Sequence, residues 1–283
     1  LANKFTSVAG VGGCGLKFLK SSHRGKEKAM SRSMDARVEE RDALLSSAHE
    51  MLLANDQVVA AWMYGSLGRG TEDGWSDLDI WVVLEDDAYP GVVENRRAFA
   101  RQLGEPIIFV EAPQNGPPDG MYLMAVHDAP TGPHMIDWRF QPVSSGWKPD
   151  SKRMLIERRP LPIPDREIPF CGTATWKPTT AQDDENKAAM FLIMTLVQAK
   201  TIARNPSEPG MKFEDFILNL LREVLAFRGL EHPFTEHPDI VAHQEKLGYL
   251  SQYVEAFLEA APEHGNAGEA VLRFVGFVVR ARR

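Results

Sequence analysis

Cysteine is nearly absent: the 283 residues hold two, Cys14 and Cys171. That excludes a disulfide-dense scaffold and a cysteine-built zinc site, and it makes a reducing cytoplasm the expected location. No run approaches the roughly 18–20 apolar residues that cross a bilayer, so no membrane partner is expected. An excess of basic charge is also missing. The net charge is -7, although residues 1–33 alone carry seven Lys/Arg against Glu27, which leaves -13 for residues 34–283. Such an acidic body argues against a duplex nucleic-acid binder. It suits a cationic small substrate and equally suits plain solubility. What is present is ordinary for a globular chain, 43% hydrophobic and 25% charged residues. Wholesale disorder and collagen are excluded, and the length fits one large domain or two modest ones.

Composition shifts divide the chain. Residues 1–33 are rich in Gly, Ser and Lys and begin with Leu, with Met30 and Met34 as candidate starts; they read as a disordered leader. The glycines at 10, 12, 13 and 15 follow no hydrophobic strand and meet no Gly-Lys-Ser/Thr, so a phosphate loop is rejected there. Residues 34–54 have the periodicity of one helix face. Apolar runs at 58–64 and 78–84 are short enough for buried strands, and 91–103 reads as a helix after Pro90. Strands are expected at 106–111, 121–127 and 134–140, the last two joined through Ala129–Pro133 as a hairpin. Seven prolines within 141–182 make 143–182 a connecting segment. Helical patterns follow at 183–204, 213–227, about 239–260 and about 267–281. The expected fold class is α+β: an N-terminal mixed-sheet domain, residues 34–142, and a C-terminal helical domain, residues 183–283.

One stretch carries chemistry. A buried run ends in Tyr64-Gly65-Ser66 and continues through Arg69, and after residues 67–76 the next strand opens Asp77-Leu78-Asp79-Ile80. Glycine lets a backbone approach a ligand closely. Ser66 and the turn offer hydrogen-bond donors to phosphate oxygens, and Arg69 adds a planar cation. Residues two apart on a strand share a face, so Asp77 and Asp79 project together. Carboxylates that close stay jointly ionised only with a cation between them, and hard oxygen ligands suit magnesium with substrate phosphates.

This pattern resembles the signature of the DNA polymerase beta-like nucleotidyltransferase superfamily, in which Gly-Ser is followed by Asp-x-Asp on the next strand. The superfamily has a third carboxylate on a later strand. The candidate is Asp137 in His134-Met135-Ile136-Asp137-Trp138-Arg139-Phe140, where Asp137 lies opposite the apolar face. Asp128 and Glu111 are the rivals. The closest resemblance is to aminoglycoside nucleotidyltransferases, the streptomycin-modifying ones above all, which place an Ile-Asp unit on a strand after a hairpin.

The resemblance implies a nucleotidyltransferase domain over about 35–142, with Asp77, Asp79 and Asp137 as catalytic and metal-binding residues. Gly65, Ser66 and Arg69 would bind nucleotide. It implies about two Mg2+ ions and an NTP, ATP by default, as donor to a small hydroxylated acceptor, cationic ones included. Asp137 either completes the metal site or takes the acceptor's proton. A protein hydroxyl as acceptor and a non-catalytic nucleotide-binding module are the competing readings; templated polymerisation has no basic surface to support it. Lys187 or Lys200 would reach the triphosphate, against the commoner reading of a solvated lysine. Asp183, Asp184 and Glu185 would meet a cationic acceptor, against simple helix-dipole complementation. Trp75 would wall the nucleotide pocket, while Trp62 and Trp81 pack in the core.

Overall fold

Apolar residues at the even positions of 78–84 and 136–140 put one face of two strands into a core, and the odd positions then share the opposite face. The structure, a computed structural model, describes residues 15–161, 167–168, 184–231, 234–237 and 239–281. It is α+β. A helix α1 (Gly15–Ala54) leads into β1 (Val58–Met63), a single turn α2 (Gly65–Arg69) and β2 (Leu78–Leu84). Two short helices, α3 (Tyr89–Glu94) and α4 (Arg96–Arg101), precede β3 (Ile108–Glu111), β4 (Met121–His127) and β5 (His134–Pro142). Then come β6 (Lys148–Pro149), β7 (Arg153–Glu157) and β8 (Glu167–Ile168). The chain ends in α5 (Asp184–Arg204), α6 (Glu214–Phe227), α7 (His243–Ala260) and α8 (Gly265–Ala281).

Six strands form one mixed sheet in the order β3-β4-β5-β2-β1-β7. The central β2–β5 pair is parallel, and the other pairs are antiparallel. On one face Leu78, Ile80, Val82, Ile136, Trp138 and Phe140 pack with Ala48 and Leu52 of α1 and Phe99 of α4. Phe99 sits edge-on to Trp138 at 5.5 Å and to Phe140 at 5.3 Å, the arrangement aromatic quadrupoles favour. The other face is shared. Trp62, Tyr64, Trp81 and Val83 cluster beneath β1 and β2, while Val110, Tyr122, Val126 and Met135 join the core of the C-terminal helices. Trp62 and Trp81 are therefore core residues, as expected.

α5 packs against α6, α7, α8 and the edge strand β3. Its Asn186 bridges to that edge: the side-chain oxygen accepts the Glu111 N–H at 3.0 Å, and the amide donates to the Glu111 carbonyl at 3.4 Å. An otherwise open strand edge is thereby covered.

Three details differ from expectation. The helix expected over 91–103 breaks into α3 and α4 at Asn95, whose backbone is non-helical (φ -102, ψ 24) and whose side-chain amide donates to the Gly91 carbonyl at 2.9 Å. The proline-rich segment 143–182 is more than a connector, since Arg153–Glu157 between its prolines pairs with β1. Of the expected leader, Gly15–Ser33 is helical and runs into α1, consistent with its many good helix formers; residues 1–14 lie outside the described residues. No helix among the described residues is long and apolar enough to cross a membrane.

Candidate active site

The site forms where β1, β2 and β5 end side by side. β1 turns at Gly65, whose φ of 61 is left-handed, and a Cβ there would lie 2.1 Å from Asp79 Oδ2. Only glycine lets the Asp79 carboxylate rest against this turn. The Tyr64 N–H donates to the Asp79 carbonyl at 3.0 Å, which ties the turn to the strand carrying the acids. Gly70, at the end of α2, has a φ of 68 and open space around it, so it is chosen for backbone conformation alone.

Asp79 and Asp137 are directly paired residues of the parallel β2–β5 ladder. Both lie on the same sheet face, Asp79 buried and Asp137 partly so. Burial and mutual repulsion hold Asp79 well above the usual carboxylate range, with Arg139 and Lys200 opposing. Burial, then Asp77, pushes Asp137 up to about 7, with the Tyr122 hydroxyl, Arg139 and Lys200 pulling the other way. Asp137 Oδ1 is buried and has no hydrogen-bond partner. The Arg139 guanidinium lies over the Tyr64 ring at 4.6 Å and the Trp81 ring at 5.3 Å, so its charge is held in an aromatic bracket behind the acids.

The loop into β2 is fixed by Asp73. Its carboxylate accepts from the Trp75 N–H at 2.9 Å, from the Ser76 hydroxyl at 3.0 Å, and from Arg204 of α5 through two bonds of 2.7 and 2.8 Å. Burial would raise this acid, but Arg204, Ser76 and Trp75 hold it down at about 2. Arg41 of α1 donates to the Asp73 carbonyl at 2.9 Å. One turn before Arg204, Lys200 donates to Asp77 Oδ1 and also approaches Met135 Sδ at 3.3 Å. Its burial lowers the ammonium pKa despite Asp77. The cleft above these groups measures about 390 Å3, and Ser66, Arg69, Thr71, Met124 and Val197 line it beside the acids.

Ser66, Arg69, Asp77, Asp79 and Asp137 thus line one cleft, and Gly65 lies buried against Asp79. The rivals lie in ion pairs elsewhere. Asp128 takes Arg273 at 2.6 Å, and Glu111 is held by Arg96 at 2.8 Å and Arg97 at 3.0 Å. Lys187 pairs with Glu223 at 2.6 Å, and Asp184 pairs with Arg228; Asp183 lies outside the described residues. Trp75 corrects an expectation. Rather than walling a nucleotide pocket, it is 8% exposed and meets Phe274 and Phe277 of α8 edge-on at 6.1 and 5.9 Å.

Arg204, Arg139 and Tyr122 are site residues that the sequence reading did not single out. A signal existed for the α5 cations: Lys200 falls among the buried positions Leu192, Leu196, Ala199 and Ala203, where a solvated lysine has no place.

The donor set fits an oxygen-seeking divalent cation: three carboxylates, two of them adjacent, one with an orphaned buried oxygen. As the side chains stand, no three His, Cys, Asp or Glu residues among those described converge on a metal position; Asp77 is engaged by Lys200. No curated protein matches the chain. Residues 45–114, from the end of α1 through the Gly65-Ser66 turn and both Asp77 and Asp79 to β3, match the family model of the nucleotidyltransferase domain, so the fold is that of an N-terminal nucleotidyltransferase domain followed by C-terminal helices.

Proposed function

We propose that the protein transfers a nucleoside monophosphate, AMP from ATP by default, to a hydroxyl of a small molecule such as an aminoglycoside, with release of pyrophosphate. The observation that carries this reading is the pairing of Asp79 with Asp137 across β2 and β5, beside Asp77 and against the Gly65-Ser66 turn. Asp137 lies beyond the residues that match the family model; its role rests on this register. Asp77, Asp79 and Asp137 would hold magnesium, which when bound neutralises phosphate charge. Ser66 and Arg69 face the cleft where a triphosphate would lie. Arg204 reaches the same cleft but is committed to Asp73.

The acceptor oxygen attacks the α-phosphorus, and the bond to the β-phosphate oxygen breaks. The acceptor's proton must go to a nearby base. Asp137, with one carboxylate oxygen buried and pushed up to about 7, is matched to that task near neutral pH. The acidic body outside residues 1–33 favours approach of a cationic acceptor.

Mass spectrometry of a pooled reaction tests the reading: Mg-ATP, the protein, and a panel of aminoglycosides and lincosamides, with Asp79→Asn as control. A product heavier by one AMP and absent with the variant supports it. Transfer unaffected by Asp79→Asn overturns it. ATP binding without any product discards the small-molecule acceptor and brings protein hydroxyls or a non-catalytic role forward.

A further inference from the structure

Lys200 is the most deeply buried cation paired with a carboxylate of the site. Its side chain is 3% exposed and that of Asp77 27%, so the ammonium is the more deeply buried partner. Its polar contacts are Asp77 Oδ1 and the weakly accepting sulfur of Met135. A buried cation of this kind is tolerated while it stays paired, and removing the one carboxylate leaves an uncompensated charge. Asp77 is therefore not free to turn towards a metal ion unless Lys200 receives another anion. We propose that Lys200 is an internal counter-ion that holds Asp77 in the free protein, so that a divalent cation is admitted only together with the triphosphate that relieves Lys200. This rests on the nucleotidyl-transfer reading of the same site.

Charge and geometry both favour the coupling. Lys200 and Arg139 act on Asp79 and Asp137, and Lys200, Arg37 and Arg204 act on Asp77, so the free site already sets several cations against its three carboxylates. A lone divalent ion would pull Asp77 from Lys200 and add two positive charges beside a stranded ammonium. A divalent ion arriving with a triphosphate brings its own anion. Ser66 and Thr71 line the cleft beside Asp77, and Lys200, one turn before Arg204 on α5, lies directly behind Asp77, whose Oδ1 accepts from it. Arg204 is fixed on Asp73 by two bonds, which leaves Lys200 as the α5 cation able to exchange partners.

The test is direct Mn2+ binding to the full chain, followed by electron paramagnetic resonance of the free ion, with and without a non-hydrolysable ATP analogue. Wild type is compared with Lys200→Met and Lys200→Gln, each checked for its thermal midpoint. Either variant is expected to bind Mn2+ in the absence of nucleotide about tenfold or more tightly than wild type, the scale of an ordinary coupling between ligands. The analogue is expected to bring wild type level with the variants. Should neither variant fold, wild type alone decides: Mn2+ affinity that the analogue leaves unchanged sinks the proposal. Equal Mn2+ affinity of wild type and variants without nucleotide, with analogue binding intact, overturns the counter-ion role and leaves the transfer reading standing. Absence of Mn2+ binding by every form, analogue included, removes the transfer reading and this proposal with it.

Discussion

Asp79 and Asp137 face each other across the parallel ladder of β2 and β5, one buried acid and one with a buried carboxylate oxygen in adjacent strands. Nothing in strand packing favours that pairing. It sets a stability cost against whatever the pair does. Asp137→Asn and Asp79→Asn are therefore expected to lower nucleotidyl transfer by about 10²–10⁴-fold while raising metal-free stability by about 0.5–2 kcal/mol. Loss of activity accompanied by a lower melting point would instead make the acids structural.

The same pair sets a pH dependence. An unfolded aspartate releases its proton near 3.9, whereas Asp137 keeps its proton up to about 7. Between those values the native state binds more protons than the unfolded one, so this group's contribution to stability falls as pH rises. His134 acts in the opposite sense: burial, then Arg37 and Lys200, hold it down at about 3, so its contribution rises with pH up to the ordinary histidine range. The two are separated by difference. The stability gained by Asp137→Asn over wild type, measured by chemical denaturation without metal, should grow from about pH 4 to pH 7 and level off above it. A gain independent of pH would contradict the raised Asp137 value.

Gly65 and Gly70 offer a matched comparison five residues apart. Both have positive φ, 61 and 68, but only at Gly65 would a Cβ strike a carboxylate, Asp79 Oδ2 at 2.1 Å. Gly70→Ala is expected to cost about 1–2 kcal/mol of backbone strain with transfer retained. Gly65→Ala adds displacement of Asp79 and should abolish transfer. Equal activity losses in the two variants would show that the contact with Asp79 does not matter.

Asp73 is expected to act as a staple for the loop that carries Asp77. Held down at about 2 by Arg204 and the loop's own donors, it contributes stability that is present above the ordinary aspartate range and lost only as pH falls towards about 2. Arg204 is partly exposed, 40% at the side chain, so the ion pair itself is worth roughly 1 kcal/mol or less. Arg204→Met should thus barely move the melting point. It should speed amide hydrogen exchange over residues 71–77 and raise KM for the nucleotide. Unchanged exchange in that loop would refute the staple.

The central strands and the three acids were legible because alternation in a strand assigns each residue a face, and the Asp77-Leu78-Asp79 and Ile136-Asp137-Trp138 units declare theirs. Lys200 was legible only as one of two lysines that would reach the triphosphate, and Arg204 was not. Helical periodicity says that they share a face one turn apart, but not that the face covers the ends of β2 and β5. β7 was hidden because its pairing with β1 is non-local and its five residues lie among prolines. The break at Asn95 escaped because a side chain that bonds a carbonyl four residues back leaves the apolar pattern intact.

Trp75 makes the same point as a prediction. Two residues from Asp77, it looked placed to stack on a base. In the structure its ring packs edge-on against both Phe274 and Phe277, joining the loop that carries Asp77 to α8. Trp75→Ala is expected to cost about 3–5 kcal/mol, while Trp75→Phe, which keeps an edge-on aromatic contact, should cost under about 1.5 kcal/mol. The two readings then part on nucleotide affinity. A core tryptophan gives a Phe variant with near wild-type ATP binding and no change in preference among bases. A stacking tryptophan gives weaker binding in both variants and an altered preference, because stacking strength depends on the base and on the ring beneath it. Isothermal titration with ATP, GTP and CTP against Trp75→Phe distinguishes them. The edge-on packing on α8 requires the first result.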